Sequence, residues 1–258
     1  MSRIKEAFSH GKAFIPFVTC GDPDLETTAE IVKAMAGAGA DLIELGIPFS
    51  DPTAEGPVIQ EASRRALSAG ATTTRIFDMV RDLRREVSVP MVFMTYANVV
   101  FSYGTEQFLK EAAEIGMDGL ILPDVPYEEK EEFAPVCRKY GMELISLIAP
   151  TSEGRITQIA REAEGFLYCV SSLGVTGTRS RITTDIAHMV DLAKKANPEI
   201  PCAVGFGIST PEQAREIGAV CDGVIVGSAV VKIIARYGKE AVPYAAEFAA
   251  QMKQSLQR

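Results

Sequence analysis

Short apolar runs alternate with amphipathic stretches along the whole chain. Each run has the length of a buried strand and is bounded by glycine or proline. Eight runs are predicted strands, at residues 14–20, 41–45, 91–96, 119–122, 143–148, 165–170, 202–204 and 223–226. Helical periodicity separates them, for example at residues 25–38, 73–87, 105–115, 127–140 and 182–196. This alternation favours an α/β fold of the (β/α)8 type, the TIM barrel, over an open doubly wound sheet.

No low-complexity linker or block of charge divides the chain. A length of 258 residues fits either one large barrel or two smaller domains, and we predict a single barrel domain over residues 1–258. Residues 2–8 are predicted to form an extra N-terminal helix that closes the bottom of the barrel. Asp41, Asp118 and Asp222 each stand just before or at the start of a strand, as expected of repeated αβ turns.

The chemically unusual residues follow the strands rather than precede them. They occupy residues 19–23, 44–57, 96–98, 123–126, 171–177, 205–209 and 227–229. In a parallel barrel all of these segments lie at the C-terminal face, where active sites are built, whereas the connections entering the strands are short and bland. This asymmetry predicts an enzyme.

Composition narrows the function further. The chain is 47% hydrophobic and 23% charged, as in an ordinary globular protein, and its net charge is −8. An acidic chain is poorly suited to sequence-independent binding of nucleic acid or to an anionic membrane surface, and no apolar run approaches membrane-spanning length. We therefore expect no nucleic acid and no membrane as partners, and an anionic substrate would have to bind to local backbone amides.

Cysteine and histidine usage excludes several chemistries. The five cysteines are scattered without a CxxC pair, which points to a reducing cytoplasm. His10 and His188 both fall in helical stretches, so we predict no metal site and no nucleophilic triad. No lysine ends a strand, which disfavours a Schiff-base mechanism.

Two glycine sites in the final two loops suggest a phosphate site. Gly207 follows the seventh strand, and Gly227 with Ser228 follows the eighth. These loops are the usual phosphate position of a barrel, where a helix N-terminus adds a favourable dipole. Gly177 in the preceding loop is a third candidate. The alternative is that these glycines only permit tight turns.

Three acids, Glu44, Asp51 and Glu55, lie at the end of the second strand and in the loop after it, where Pro48 and Pro52 limit flexibility. A carboxyl group among apolar neighbours, as at Glu44, should have a raised pKa and could serve as acid and base near neutrality. A structural glutamate that accepts loop amides is the alternative. An aromatic-binding slot could be formed by residues near strand ends, although most such residues are core: Phe17, Met94, Tyr96, Tyr168 and Phe206.

The segment Glu44-Leu-Gly-Ile-Pro-Phe-Ser-Asp-Pro, followed by an acid and Gly-Pro, resembles the tryptophan synthase alpha subunit family, and the resemblance extends from residues 14–19 to residues 227–232. It implies retro-aldol cleavage of indole-3-glycerol phosphate to indole and glyceraldehyde 3-phosphate. Glu44 would then be the acid-base catalyst and Glu55 its electrostatic partner. Phosphate would bind at Gly177, Gly207, Gly227 and Ser228. Residues 173–181 would form a lid in which Thr176 contacts the second acid.

One position departs from the family pattern. The family has Asp where this chain has Glu55, and Leu shortly before it where this chain has Thr53. Because the charge is kept, we expect function to survive with altered geometry. The alternative is that Glu55 faces solvent and Asp51 is the second acid.

The resemblance also implies the assembly. No cofactor is expected in this chain, and the partner would be a pyridoxal-phosphate beta subunit in an alpha2-beta2 tetramer in the cytoplasm. The loops after strands two and six, with residues 123–126, are candidate contact surfaces. Two alternatives stay open: a stand-alone indole-releasing lyase, and a weakly catalytic subunit that mainly activates its partner allosterically. A barrel phosphate isomerase is less well supported, since it offers no role for the acidic loop.

Overall fold

The computed structural model describes residues 2–170, 179–205 and 207–257, and of residues 179–184 the backbone alone. Within these residues nine parallel strands form one sheet. They are β1 (Ala13–Thr19), β2 (Ile43–Gly46), β3 (Met91–Met94), β4 (Gly119–Ile121), β5 (Glu143–Leu144), β6 (Ser146–Ile148), β7 (Leu167–Val170), β8 (Cys202–Gly205) and β9 (Gly223–Val226).

Helices cover the outside of this sheet. Those described are α1 (Arg3–Glu6), α2 (Leu25–Gly37), α3 (Pro57–Ser68), α4 (Thr73–Leu83), α5 (Ala97–Tyr103), α6 (Thr105–Glu114), α7 (Ala134–Lys139), α8 (Glu153–Arg161), α9 (Arg179–Ala196), α10 (Pro211–Gly218), α11 (Ser228–Tyr237) and α12 (Ala241–Leu256), with 3-10 helices at Tyr127–Glu132 and Gly238–Glu240. The single helix predicted over residues 127–140 is wrong: it divides into a 3-10 helix and α7. Pro135 explains this division, because proline fits the first turn of a helix and not its interior.

The sheet is a nearly closed barrel, as predicted. The strand order is β5-β4-β3-β2-β1-β9-β8-β7-β6, and the two edge strands are neighbours in sequence. The strand predicted over residues 143–148 is interrupted at Ile145: its first part pairs with β4 and its second part pairs with β7. The Ile145 N–H still donates to the Leu120 carbonyl at 2.9 Å. The eight predicted strands therefore become nine by a change of pairing partner within the fifth.

The barrel has two apolar layers. All seven residues of β1 are buried, as expected where side chains face the barrel interior on one side and helices on the other. The interior layer includes Ala13, Ile15 and Phe166, and Ile4 of the N-terminal helix packs into it with no exposed surface. Helix α1, shorter than the predicted residues 2–8, thus closes the bottom of the barrel. The organisation as a single domain stays a prediction.

The three recurrent aspartates perform one structural task. Each accepts a backbone N–H near the start of a neighbouring strand and forms an ion pair with a basic side chain. The contacts are Asp41 with the Phe14 N–H at 2.7 Å and Lys253 Nζ at 2.7 Å, Asp118 with the Met91 N–H at 2.9 Å and Arg84 Nη2 at 2.6 Å, and Asp222 with the Cys202 N–H at 2.8 Å and Lys194 Nζ at 2.7 Å. These contacts fix the N-terminal end of the barrel and leave the C-terminal end for chemistry.

Candidate active site

A cavity of about 950 Å³ opens at the C-terminal ends of the strands. Its walls come from strands on both sides of the barrel and from the loops that follow β2, β4, β6, β8 and β9. Eight of the predicted site residues line it: Phe17, Glu44, Glu55, Met94, Tyr168, Gly207, Gly227 and Ser228. Residues as far apart in sequence as Phe17 and Ser228 thus meet around one space of ligand size.

Glu44 lies in β2, with its side chain only 1% exposed. Neither carboxylate oxygen has a hydrogen-bond partner among the described residues. Burial, and secondarily the negative charge of Glu55, raises the pKa of Glu44 from its ordinary value of 4.5 to about 8. An unpartnered buried carboxyl group is costly in a folded protein, and this one faces the cavity. Glu44 is therefore suited to hold and transfer a proton near neutral pH.

Glu55 is the second acid in the cavity. It is half-buried in the loop between β2 and α3, and burial raises its pKa to about 7. Gln60 Nε2 donates to the Glu55 carbonyl at 2.8 Å, which holds the loop against the start of α3. Asp51, by contrast, is exposed and accepts a hydrogen bond from Ser50 Oγ at 2.5 Å. Of the two candidates for the second acid, Glu55 is the one that lines the cavity.

Tyr96 is not among the described residues that line the cavity, and its predicted place in the substrate slot stays a prediction. Its hydroxyl instead accepts a hydrogen bond from the Ala54 N–H at 2.9 Å. Its ring packs against Phe49, with the centroids 5.2 Å apart. Tyr96 therefore packs against the acidic loop and holds Ala54, the residue next to Glu55, in place.

Phe17 and Tyr168 are the aromatic residues of the predicted slot that line the cavity. Each ring packs against a glycine, and a larger residue at that position would clash with the ring. A Cβ atom at Gly46 would lie 2.5 Å from Phe17 Cζ, and one at Gly205 would lie 2.6 Å from the Tyr168 hydroxyl. Burial, followed by the charge of Glu44, raises the pKa of Tyr168 well above its ordinary value. Tyr168 is therefore a neutral phenol beside Glu44.

The part of the wall formed by the loops after β8 and β9 has the features of an anion site. Gly207 adopts a positive φ of 81°, which favours glycine in the turn after β8. Gly227 precedes α11, a helix of ten residues that begins at Ser228 and has no side-chain hydrogen bond at its N-cap. The first backbone N–H groups of such a helix, together with its dipole, attract phosphate. Thr176, Gly177 and Phe206 lie outside the described residues, so their predicted roles stay predictions.

Sequence reasoning missed the basic residues that line the cavity, Lys130, Arg155 and Lys232. Lys232 lines it, on α11 and four residues after Ser228. The available signal was this spacing, because residues four apart lie on the same face of a helix. Among the described residues, no group of three or more His, Cys, Asp or Glu side chains is placed to hold a metal ion. No helix in the described ranges has the length and apolar character needed to cross a membrane.

Comparison with known proteins agrees with this geometry. The family model described as tryptophan synthase alpha chain matches residues 4–257. The chain belongs to the tryptophan synthase alpha chain family. The tryptophan synthase alpha chain of Lacticaseibacillus casei is 47% identical over 253 residues, covering 98% of this chain and 95% of the relative. That of Alkaliphilus metalliredigens is 52% identical over 223 residues, covering 86% of this chain and 84% of the relative.

Solved structures confirm the barrel. The crystal structure of tryptophan synthase subunit alpha from Legionella pneumophila superposes with a TM-score of 0.90 at 36% identity, covering 100% of this chain and 99% of that one. A chain of M. tuberculosis tryptophan synthase in an aminoacrylate-bound form gives 0.88 at 28% identity, covering 99% and 100%. The resemblance to the alpha chain family predicted from residues 44–57 is thereby confirmed over nearly the whole length.

The buried carboxyl group of Glu44 should make the stability of this protein depend on pH. The pKa of Glu44 rises from 4.5 to about 8 on folding, so the unfolded state loses the proton first as the pH increases. Below about pH 4.5 Glu44 is protonated in both states and does not lower the free energy of unfolding. Its destabilising contribution grows between pH 4.5 and pH 8 and reaches its full size above about pH 8. Glu44→Gln should remove it and raise the free energy of unfolding at pH 9 by roughly 3 to 5 kcal/mol as an upper bound.

Urea unfolding of the wild type and of Glu44→Gln at intervals from pH 5 to pH 9 measures this difference. The two stability curves should be close at pH 5 and separate as the pH rises, with the variant the more stable. Curves that stay parallel over this range would show that Glu44 titrates alike in the folded and unfolded states.

Proposed function

We propose that this chain cleaves indole-3-glycerol phosphate to indole and glyceraldehyde 3-phosphate, the lyase reaction of its family in tryptophan biosynthesis. One observation carries the proposal. Glu44 and Glu55, two acids with raised pKa values, line the same cavity as the uncapped N-terminus of α11. A substrate with an indole ring at one end and a phosphate at the other matches these two sets of groups.

The retro-aldol step requires one proton transfer to the substrate and one proton transfer from it. Glu44 donates its proton to C3 of the indole ring, which makes C3 tetrahedral and places positive charge on the indole nitrogen. Glu44 then takes the proton of the glycerol hydroxyl next to the scissile bond, and the C–C bond breaks as the aldehyde forms. The same carboxyl group thus begins and ends protonated, as suits a pKa of about 8.

Glu55 stabilises the charge that develops in this step. Its carboxylate would accept the indole N–H as positive charge reaches the nitrogen, and its pKa of about 7 keeps a large ionised fraction at neutral pH. Burial makes this electrostatic interaction stronger than it would be in water. Gly207, Gly227 and Ser228, with Gly177, would hold the phosphate and place the scissile bond beside Glu44.

The partner in this proposal is a beta subunit. The M. tuberculosis neighbours are described as structures of tryptophan synthase, one in an aminoacrylate-bound form. We extend this to an alpha2-beta2 tetramer in the cytoplasm, with pyridoxal phosphate held by the beta subunit and no organic cofactor in this chain. The loops around the cavity mouth would face the partner and pass indole to it.

Indole release from indole-3-glycerol phosphate tests the proposal, measured with the purified chain alone and with a tryptophan synthase beta subunit. We expect slow release from the chain alone and clear acceleration with the partner. Fast release that no partner changes would instead favour a stand-alone lyase. Absence of release in both conditions, with substrate bound, would favour an allosteric subunit without catalysis.

A further inference from the structure

Lys232 occupies a defined place in the cavity. It lines the same space as Gly207, Gly227 and Ser228, and it lies one helical turn beyond Ser228 on α11. Neighbouring Val230 and Val231 are fully buried, which fixes the rotation of the helix. Lys232 itself is exposed, so its ammonium group is free to reach into the cavity.

The direction of a helical side chain brings this ammonium group toward the anion site. The Cα–Cβ bonds of an α-helix tilt toward the N-terminus, so a long side chain covers the turn that precedes it. The turn preceding Lys232 begins at Ser228, which is the first residue of the helix. The four-carbon side chain of Lys232 can therefore place its charge beside the backbone N–H groups at the start of α11.

Among the described residues that line the cavity, Lys232 is the cation without a carboxylate partner. The other two described cations there have carboxylate partners. Lys130 Nζ lies 2.5 Å from Glu162 Oε2, and Arg155 Nη1 lies 2.6 Å from Glu128 Oε1. Lys232 forms no ion pair or hydrogen bond within the described ranges.

The negative charge around the cavity calls for a positively charged side chain if a phosphate is to bind there. The acidic side chains of Glu55 and Asp124 line the cavity, and the chain carries a net charge of −8. A phosphate dianion entering this space meets an unfavourable field, which backbone amides and a helix dipole of about half an elementary charge offset only in part.

We propose that Lys232 is the charge partner of the substrate phosphate, acting together with the N-terminus of α11. This inference rests on the proposed function, because it assigns a residue to the phosphate end of the same substrate. It predicts a specificity for dianionic ligands: Lys232 contributes to the binding of any phosphorylated ligand at this end and leaves the binding of the indole ring unchanged.

Calorimetry with two probes tests it. Glycerol 3-phosphate reports on the phosphate end, and indole-3-propanol reports on the ring end without a phosphate. Lys232→Met should raise the Kd for glycerol 3-phosphate about tenfold and leave the Kd for indole-3-propanol unchanged. Lys232→Arg, which keeps the charge, should bind glycerol 3-phosphate within about threefold of wild type. The loss in Lys232→Met should shrink at high salt, because ions screen an exposed charge pair.

Arg236→Met is the matched control. It removes one positive charge from the same helix, at an exposed position that does not line the cavity. Equal losses in both variants would assign the effect to net charge and overturn the inference, as would equal losses for both probes in Lys232→Met. If wild type itself binds no glycerol 3-phosphate, the proposed function fails; if wild type binds it and Lys232→Met binds it equally well, only the role of Lys232 fails.

Discussion

Glu44→Gln should lower the kcat of indole release by about 10²–10⁴-fold while leaving ligand binding nearly intact. Glutamine has almost the same shape as a protonated glutamic acid, so it fills the buried site without a cavity. It cannot deliver a proton to indole C3 or take one from the glycerol hydroxyl. The effect should therefore fall on kcat and spare the Kd for glycerol 3-phosphate, which binds at the other end of the cavity.

Glu143→Gln provides a matched control for this substitution. Glu143 begins β5 at the opposite end of the barrel, burial raises its pKa, and its Oε2 has no partner among the described residues. It thus shares with Glu44 a pKa raised by burial and an unpartnered carboxylate oxygen, although it is only partly buried, and it differs in location. Steady-state kinetics of indole release should show Glu143→Gln within about threefold of wild type. A loss below tenfold in Glu44→Gln would contradict the role of Glu44 as the proton carrier.

The parts of the structure that the sequence predicted are those that local patterns determine. Alternating apolar runs and turn residues located all eight strands, because a parallel barrel repeats one βα unit. The interruption at Ile145 could not be predicted, since the apolar spacing of residues 143–148 fits one continuous strand. The break depends on pairing with β4 on one side and with β7 on the other.

The same distinction applies to the site. Glu44 and Glu55 come from one motif, so their proximity in the cavity was predictable from a short segment. The hydrogen bond between Tyr96 and Ala54 could not be predicted, because it is a contact between loops 42 residues apart. Lys232 was overlooked because its importance depends on where the helix after β9 points in the barrel.

Glu55 should prove the second essential acid. Glu55→Gln should lower kcat/KM about 10²-fold, because the indole nitrogen loses a buried negative partner as it becomes positive. Glu55→Asp, which restores the family residue, should retain activity within about tenfold of wild type. The charge of Glu55 raises the pKa of Glu44, so its removal should also move the Glu44 titration in the pH–rate profile to lower pH.

Asp51→Asn separates this role from a general effect of charge in the loop. Asp51 lies four residues earlier in the same loop and is exposed, so its neutralisation should change kcat/KM by less than about threefold. The profile for Asp51→Asn should keep the wild-type pKa of Glu44. If Asp51→Asn instead costs more than Glu55→Gln, Asp51 is the second acid, and the position of Glu55 in the cavity serves packing rather than chemistry. A sharp rise in turnover for Glu55→Asp would indicate a subunit whose catalysis is weakened by the extra methylene and whose main contribution is activation of its partner.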